Sequence, residues 1–169
     1  MVTVGFDLDK VASLSRFNWM QSVSDRLSEN FFWWLQRFRL LQQVYNFCFR
    51  KPNPEIKGLM SQLKYKGFKV VIISASNESY RQELERWLKK HDFVYDELYL
   101  KESDENCLSF KARVAPLFCC CYLDDKKEIV DAINRGADNN GQCQAFLYYG
   151  QTQKEVFSSI PLFRVFKTA

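Results

Sequence analysis

A chain of 169 residues with 47% apolar and 16% aromatic content can bury a core as one globular domain, which excludes a low-complexity or disordered protein. Its formal charge of +4 comes without a Lys/Arg block, so a dedicated nucleic-acid binder is not indicated, while an anionic substrate is compatible. Six cysteines form no CxxC pair and only one His is present, so zinc-site spacing is absent. Cys119, Cys120 and Cys121 lie in an apolar run and read as buried reduced thiols, which favours a reducing, cytoplasmic setting. No charged segment with an apolar stretch precedes the first strand, and no apolar run reaches membrane-spanning length, so neither a secretory leader nor a membrane partner is expected.

Val2, Val4 and Phe6 alternate with small or polar residues and predict a first strand over about Thr3 to Phe6. It runs into Asp7 and Asp9. On an extended strand, i, i+2 spacing places both carboxylates on one side. Such a pair repels unless a cation or hydrogen-bond network lies between them. The carboxyl end of a strand is also where open α/β sheets bind ligands. A divalent metal at the end of the first strand is therefore the first expectation.

Residues 12–50 carry no strand pattern. Ser24 or Ser28 can cap a helix, and Phe31, Phe32, Trp33, Trp34, Phe38, Tyr45, Phe47 and Phe49 crowd the run that follows. Gln36, Arg39, Gln43, Asn46 and Arg50 keep a polar line at helical spacing. The segment reads as a mostly helical insertion. Its aromatic helix 31–49 suits core or cap packing, with a base-stacking platform or a dimer surface as alternatives.

Next, Asn53, Pro54 and Glu55 suit the start of a helix whose apolar face is Ile56, Leu59, Met60 and Leu63, closed at Gly67. Lys69 to Ile73 is a β-branched run suited to a strand buried on both faces, ending in Ser74-Ala-Ser-Asn77. A helix is expected from Asn77 or Ser79 to about His91, then a short strand from Glu97 to Leu100 and a loop over 101–109. Lys111 to Ala115 reads as a short helix ended near Pro116, and Leu117 to Leu123 as a second buried strand running into Asp124 and Asp125. Asp125 can cap a helix through about Arg135 with Ile129, Val130 and Ile133 inward; 138–141 reads as a loop, Ala145 to Tyr149 as a last strand, and 152–160 as helical. Alternating strands and helices predict an α/β fold with a mainly parallel sheet and helices on both faces.

Asp7 with Asp9, Ser74, Lys111, and Asp124 with Asp125 all end strands or open helices on one expected edge of that sheet. Either Asp pair alone reads as turn or capping residues; two pairs at the ends of two buried strands do not. Here the sequence resembles the haloacid dehalogenase (HAD) superfamily of phosphohydrolases. Asp7-Leu-Asp-Lys-Val11 looks like the first motif, DxDx(T/V), and Val70-Val-Ile-Ile-Ser74 like the second. Lys111 is similar to the third-motif lysine, with Lys101 as a rival, and Cys121-Tyr-Leu-Asp-Asp125 looks like the fourth motif. The resemblance covers residues 2 to about 135. Lys10 departs from it, standing where many members have Gly or another small residue.

The resemblance implies a single HAD-like domain over 1–169, a Rossmann-like sheet of about five parallel strands, and a small helical C1-type cap at 12–50 similar to that of the deoxyribonucleotidases. It also implies Mg²⁺ held by Asp7, the backbone carbonyl of Asp9, and Asp124, with Asp125 orienting metal waters or capping a helix. Asp7 would then be the nucleophile and Asp9 the acid and base, with Ser74 and Lys111 on the phosphoryl oxygens. The expected activity is hydrolysis of a small phosphorylated metabolite or nucleotide. Alternatives are a phosphatase acting on a nucleic-acid end or a phosphoprotein, and a non-catalytic interaction protein that kept the scaffold. A receiver-type phosphoacceptor domain ranks last, because it places no second Asp pair on a late strand.

Overall fold

Strands buried on both faces show hydrophobic runs rather than alternation, and Val70, Val71, Ile72 and Ile73 are all fully buried. The computed structural model describes residues 2–15, 50–102, 104–140, 143–150 and 154–156. Five parallel strands form its sheet: β1 (Thr3–Phe6), β4 (Lys69–Asn77), β5 (Glu97–Lys101), β6 (Cys121–Asp124) and β7 (Gln144–Leu147), in the order β5-β4-β1-β6-β7. Helices α1 (Pro54–Tyr65), α2 (Arg81–Lys90), α3 (Cys107–Phe118) and α4 (Lys127–Asn140) connect them. This is the α/β class with a parallel sheet that the alternating pattern predicts, and the Rossmann-like sheet of five parallel strands that the resemblance implies.

Side-chain parity sorts the core into two layers. Val4, Phe6, Val70, Ile72, Cys121 and Leu123 pack with Ile56, Leu59 and Met60 of α1 and Leu84 and Leu88 of α2. Val71, Ile73, Tyr122 and Ala145 face Phe110 and Val114 of α3 and Ile129 and Ile133 of α4. Strand β1 is central, so Asp7, immediately after it, emerges mid-edge with a strand on either side.

A second, two-stranded antiparallel ribbon pairs β2 (Ser13–Ser15) with β3 (Arg50–Pro52). It brings together the chain on either side of residues 16–49, close to the turn that follows β1. Asn53 fastens this region. Its side chain accepts from Glu55 N (3.2 Å), as the cap of α1, and donates to Val11 O (2.8 Å) and to Tyr148 Oη (2.9 Å). The expected helices within 12–50, including the aromatic helix 31–49 with Ser24 or Ser28 as its cap, fall on 16–49 and lie outside the described residues, as does most of the 152–160 segment.

Several expected boundaries are corrected. Helix α3 begins at Cys107, inside the expected loop, because Asn106 caps it by accepting from Leu108 N at 2.8 Å. It also passes Pro116. A proline this near the end removes one intrahelical bond, and Cys119 N still donates to Ala115 O at 2.8 Å, so the last turn survives. Leu117 and Phe118 are thus exposed helical residues, and β6 starts only at Cys121. Cys119 and Cys121 are buried, whereas Cys120 between them is exposed. Helix α4 runs on through Gly136 to Asn140, and it is Asp124 rather than Asp125 that accepts from the following backbone, from Lys126 N at 2.9 Å. The strand from Lys69 continues to Asn77, which caps a 3₁₀ turn over Glu78–Tyr80 ahead of α2.

Close packing of β1 on the α3 side depends on Gly5. A Cβ there would lie 2.5 Å from Cys119 Sγ and 2.8 Å from Tyr122 Cδ2, neither of which is the end of a long flexible chain. Gly5→Ala is expected to destabilise the protein by about 1–3 kcal/mol through overpacking. Urea unfolding checks this; a change within about 0.5 kcal/mol would show that the layer can open.

Candidate active site

Parity places the two buried carboxylates on one face. Gly5 and Asp7 point to the α3 layer, since Val4 and Phe6 point away from it, and Tyr122 and Asp124 do the same on the neighbouring strand. Phe6 pairs with Leu123, so Asp7 and Asp124 are the next residues out on adjacent strands. Asp7 N donates to Leu123 O at 2.8 Å and fixes the backbone at this exit. Both side chains are nearly excluded from solvent, Asp124 completely.

Lys111 meets them from the inner face of α3, one turn ahead of Val114 and Ala115. Its Nζ lies 2.7 Å from Asp7 Oδ1 and 2.8 Å from Asp124 Oδ2, and it is itself buried. Burial works against the ammonium, but Asp7 and Asp124 outweigh it and hold the Lys111 pKa above the ordinary lysine value. Burial pushes the Asp7 carboxyl well above its usual range; Lys111 offsets part of this, while Asp124 and Asp9 add to it. Asp125 is also raised, by burial and then by Asp124, with Lys10 opposing at 3.8 Å. Lys10 holds φ at +64°, the left-handed region that suits glycine, at the position where the resemblance leads one to expect a small residue.

Asp7, Asp124 and Asp125 offer carboxylate oxygens that all lie within 4.8 Å of one another. Three hard oxygen donors, two of them buried, with mutual repulsion raising Asp7 and Asp125, make a set that a divalent cation such as Mg²⁺ fits: it would relieve the repulsion that Lys111 relieves only in part.

The remaining sequence candidates sit around this group rather than in it. Strand β1 ends at Phe6, so Asp9 lies beyond the extended backbone and does not share a strand face with Asp7. The Asp9 carboxylate is half-exposed and turns instead to the Arg50 Nη2 of β3. Ser74 is fully buried on the adjacent strand, its hydroxyl donating to Ser76 Oγ and accepting from Ser76 N, both at 3.1 Å. Lys101 is buried at the end of β5 and donates to Glu102 O at 3.4 Å. It is Lys111, not Lys101, that reaches the two carboxylates. Arg50 is the site-side residue the sequence reading passed over: it reads there only as part of a helix's polar line, and its one signal is a position directly before the Lys51-Pro break.

The raised Asp7 pKa has a consequence for stability. A group whose folded pKa lies above its unfolded value, near 4, stabilises below that value and loses this contribution as pH rises through the folded pKa. In chelator, Asp7→Asn is therefore expected to gain thermal stability relative to the parent as pH increases from about 4 to 8. A Tm difference that is constant, or that shrinks, across this range contradicts the placement of a buried, only partly compensated carboxylate at position 7.

No family model matches the chain, and no curated protein matches it. Solved structures do. A chain of the Pnkp1/Rnl/Hen1 complex aligns with TM-score 0.61 and 22% identity over 88% of this chain and 46% of its own length, so the present chain spans about half of that relative. The HAD domain of the effector protein Lem4 from Legionella pneumophila aligns with TM-score 0.57 and 15% identity, covering 95% of this chain and 94% of its own. A HAD-superfamily hydrolase from Ehrlichia chaffeensis gives TM-score 0.56 and 12% identity over 96% and 97% of the two chains. The chain has the fold of the HAD-superfamily hydrolases.

Proposed function

We propose that the protein is a Mg²⁺-dependent phosphatase that hydrolyses a phosphate monoester through an aspartyl-phosphate on Asp7. The observation that carries this reading is the Lys111 ammonium set between Asp7 and Asp124 at the carboxyl edge of a parallel sheet. Two buried carboxylates on one lysine, with Asp125 beside them, leave negative charge for a further cation. Asp7, Asp124 and the Asp9 backbone carbonyl are the proposed ligands, with Asp125 supporting them. When bound, the metal supplies charge neutralisation for the anionic phosphoryl group.

In the first half-reaction Asp7 Oδ attacks phosphorus and the ester P–O bond breaks. The electron pair goes to the leaving oxygen, which takes the proton of the Asp9 carboxyl. In the second, water attacks the aspartyl-phosphate and gives a proton to Asp9. The bond to Asp7 breaks, its electron pair returns to the carboxylate, and inorganic phosphate leaves. Lys111 holds Asp7 and stabilises the phosphoryl oxygens, with Ser74 donating to one of them after its hydroxyl turns from Ser76. Residues 12–50 form the proposed cap, whose two ends the β2–β3 ribbon joins beside Asp9. The free thiols at Cys107, Cys119, Cys120, Cys121 and Cys143 suit the proposed cytoplasmic setting, and among the described residues no helix is long and apolar enough to cross a membrane.

A small phosphorylated metabolite or nucleotide is the first substrate class. A nucleic-acid end is the second, favoured by the likeness to a chain of an RNA repair complex, at TM-score 0.59 and 18% identity.

With Mg²⁺, the wild-type chain is expected to turn over an aryl phosphate, and Asp7→Asn to lose at least about 10³-fold in kcat while keeping a cooperative melt. Inactivity of the wild-type chain across a broad phosphate-ester panel removes the enzyme reading. Higher kcat/KM on an oligonucleotide 3′-phosphate than on the matching mononucleotide selects the second substrate class; the reverse order selects the first. Mg²⁺ is expected to raise Tm in the parent by mass action, and Asp124→Asn to remove that rise, as thermal denaturation with and without the ion would show.

A further inference from the structure

The Arg50 side chain is 2% exposed, whereas the Asp9 side chain it pairs with is 46% exposed. An ion pair with one half-solvated partner adds little stability, while removing an arginine head from water is costly. The surroundings of Arg50 hold it from several sides. The guanidinium carbon lies 5.6 Å from the centroid of the Trp87 ring. Trp87 Nε1 in turn donates to Arg50 O at 3.3 Å, and Trp87 is packed against Phe93 with centroids 5.5 Å apart. The Arg50 backbone is paired to Ser15 across the ribbon. Asp9, by contrast, lies in a turn, next to Lys10 in the left-handed region, tied by an isolated bridge to Ser13. A half-exposed aspartate in a turn has free rotamers; a buried guanidinium anchored on another element, with its Nη2 on Asp9 Oδ1, restricts them.

We propose that Arg50 is a positioning residue: it fixes the Asp9 carboxyl group relative to the ester oxygen that this group must protonate. The inference rests on the phosphatase reading and deepens it. During ester cleavage the P–O bond breaks, the leaving oxygen keeps the electron pair, and the Asp9 proton moves to it; Arg50 exchanges no proton. Placement matters most for a poor leaving group. An alkoxide needs the proton as the bond breaks, whereas the anion of an acidic phenol leaves without it. The parameter to read is kcat/KM, which reports steps through loss of the alcohol and is blind to later hydrolysis of the aspartyl-phosphate.

The test measures kcat/KM with Mg²⁺ for an alkyl phosphate and for the phosphate ester of an acidic phenol, in the wild-type chain, Arg50→Met, Asp9→Asn and the double variant. Arg50→Met is expected to lose about tenfold or more on the alkyl ester and less than about threefold on the aryl ester. In the Asp9→Asn background, Arg50→Met is expected to change the alkyl value by less than about twofold, since no acid is left to place. Equal losses on both esters overturn the proposal in favour of substrate binding by Arg50, and losses that add to those of Asp9→Asn overturn it too. If Arg50→Met lacks a cooperative melt, Arg50→Lys carries the test: a compact ammonium on a flexible stem does not reproduce the planar guanidinium held over the Trp87 ring, and the alkyl-to-aryl ratio should fall at least about threefold. An unchanged ratio overturns the proposal. A wild-type chain inactive on both esters overturns the phosphatase reading itself, whereas an active one with unchanged ratios in the variants overturns only the role of Arg50.

Discussion

The Lys111 ammonium held between Asp7 and Asp124 is the interaction on which the rest of the site depends. Two carboxylates on adjacent strands at the end of a buried sheet repel one another, and burial strengthens that repulsion by removing water. A lysine projected from α3 makes the arrangement tolerable, yet burial, with Asp124 and Asp9 adding to it, keeps the Asp7 carboxyl well above its usual pKa, while Lys111 is held above its own. The sheet order supplies the geometry. With β1 central and β6 beside it, two residues distant in sequence become neighbours, and side-chain parity turns both toward the helix that carries the lysine. Gly5 belongs to the same design, because it lets Cys119 and Tyr122 close against β1 just inside the carboxylates.

Much of this was legible in the sequence, for a physical reason. Strands buried on both faces are often written as unbroken apolar runs, as Val70 to Ile73 is, whereas the first strand is marked by the alternation of Val2, Val4 and Phe6; acidic residues placed directly after such strands emerge at the sheet edge. Asn53-Pro54-Glu55 gave the start of α1, and Lys111 was found because it opens the path to the Asp124 strand. Errors arose where local signals compete. Pro116 reads as a helix stop, yet near a C-terminus it removes a single bond and the helix goes on. Cys119 to Cys121 looked like strand because cysteine is apolar, but the exposure of Leu117, Phe118 and Cys120 marks a helix end and a turn there.

The largest gap concerns Asp9. Its spacing from Asp7 suggested one shared face, which holds only while the chain stays extended, and the strand ends at Phe6. What fixes the Asp9 carboxylate lies 41 positions away, on Arg50, and no local pattern connects the two. The β2–β3 ribbon makes that link, joining the entry and exit of residues 16–49 beside the turn that carries Asp9. In the proposed function this couples the base of the cap to the acid that serves the leaving group, and Lys10, in its left-handed backbone beside Asp125, occupies the other flank of the same turn.

The central claim is that the Asp7 carboxylate forms the covalent bond to phosphorus. Its most direct test is to quench the chain during turnover of a phosphate ester with Mg²⁺, reduce with borohydride, which converts an aspartyl-phosphate to homoserine, and map the product by peptide mass spectrometry. With Asp7 as the nucleophile, homoserine appears at position 7, dependent on substrate. Substrate-dependent turnover with no homoserine, or with homoserine at position 9 or 124 instead, would contradict it.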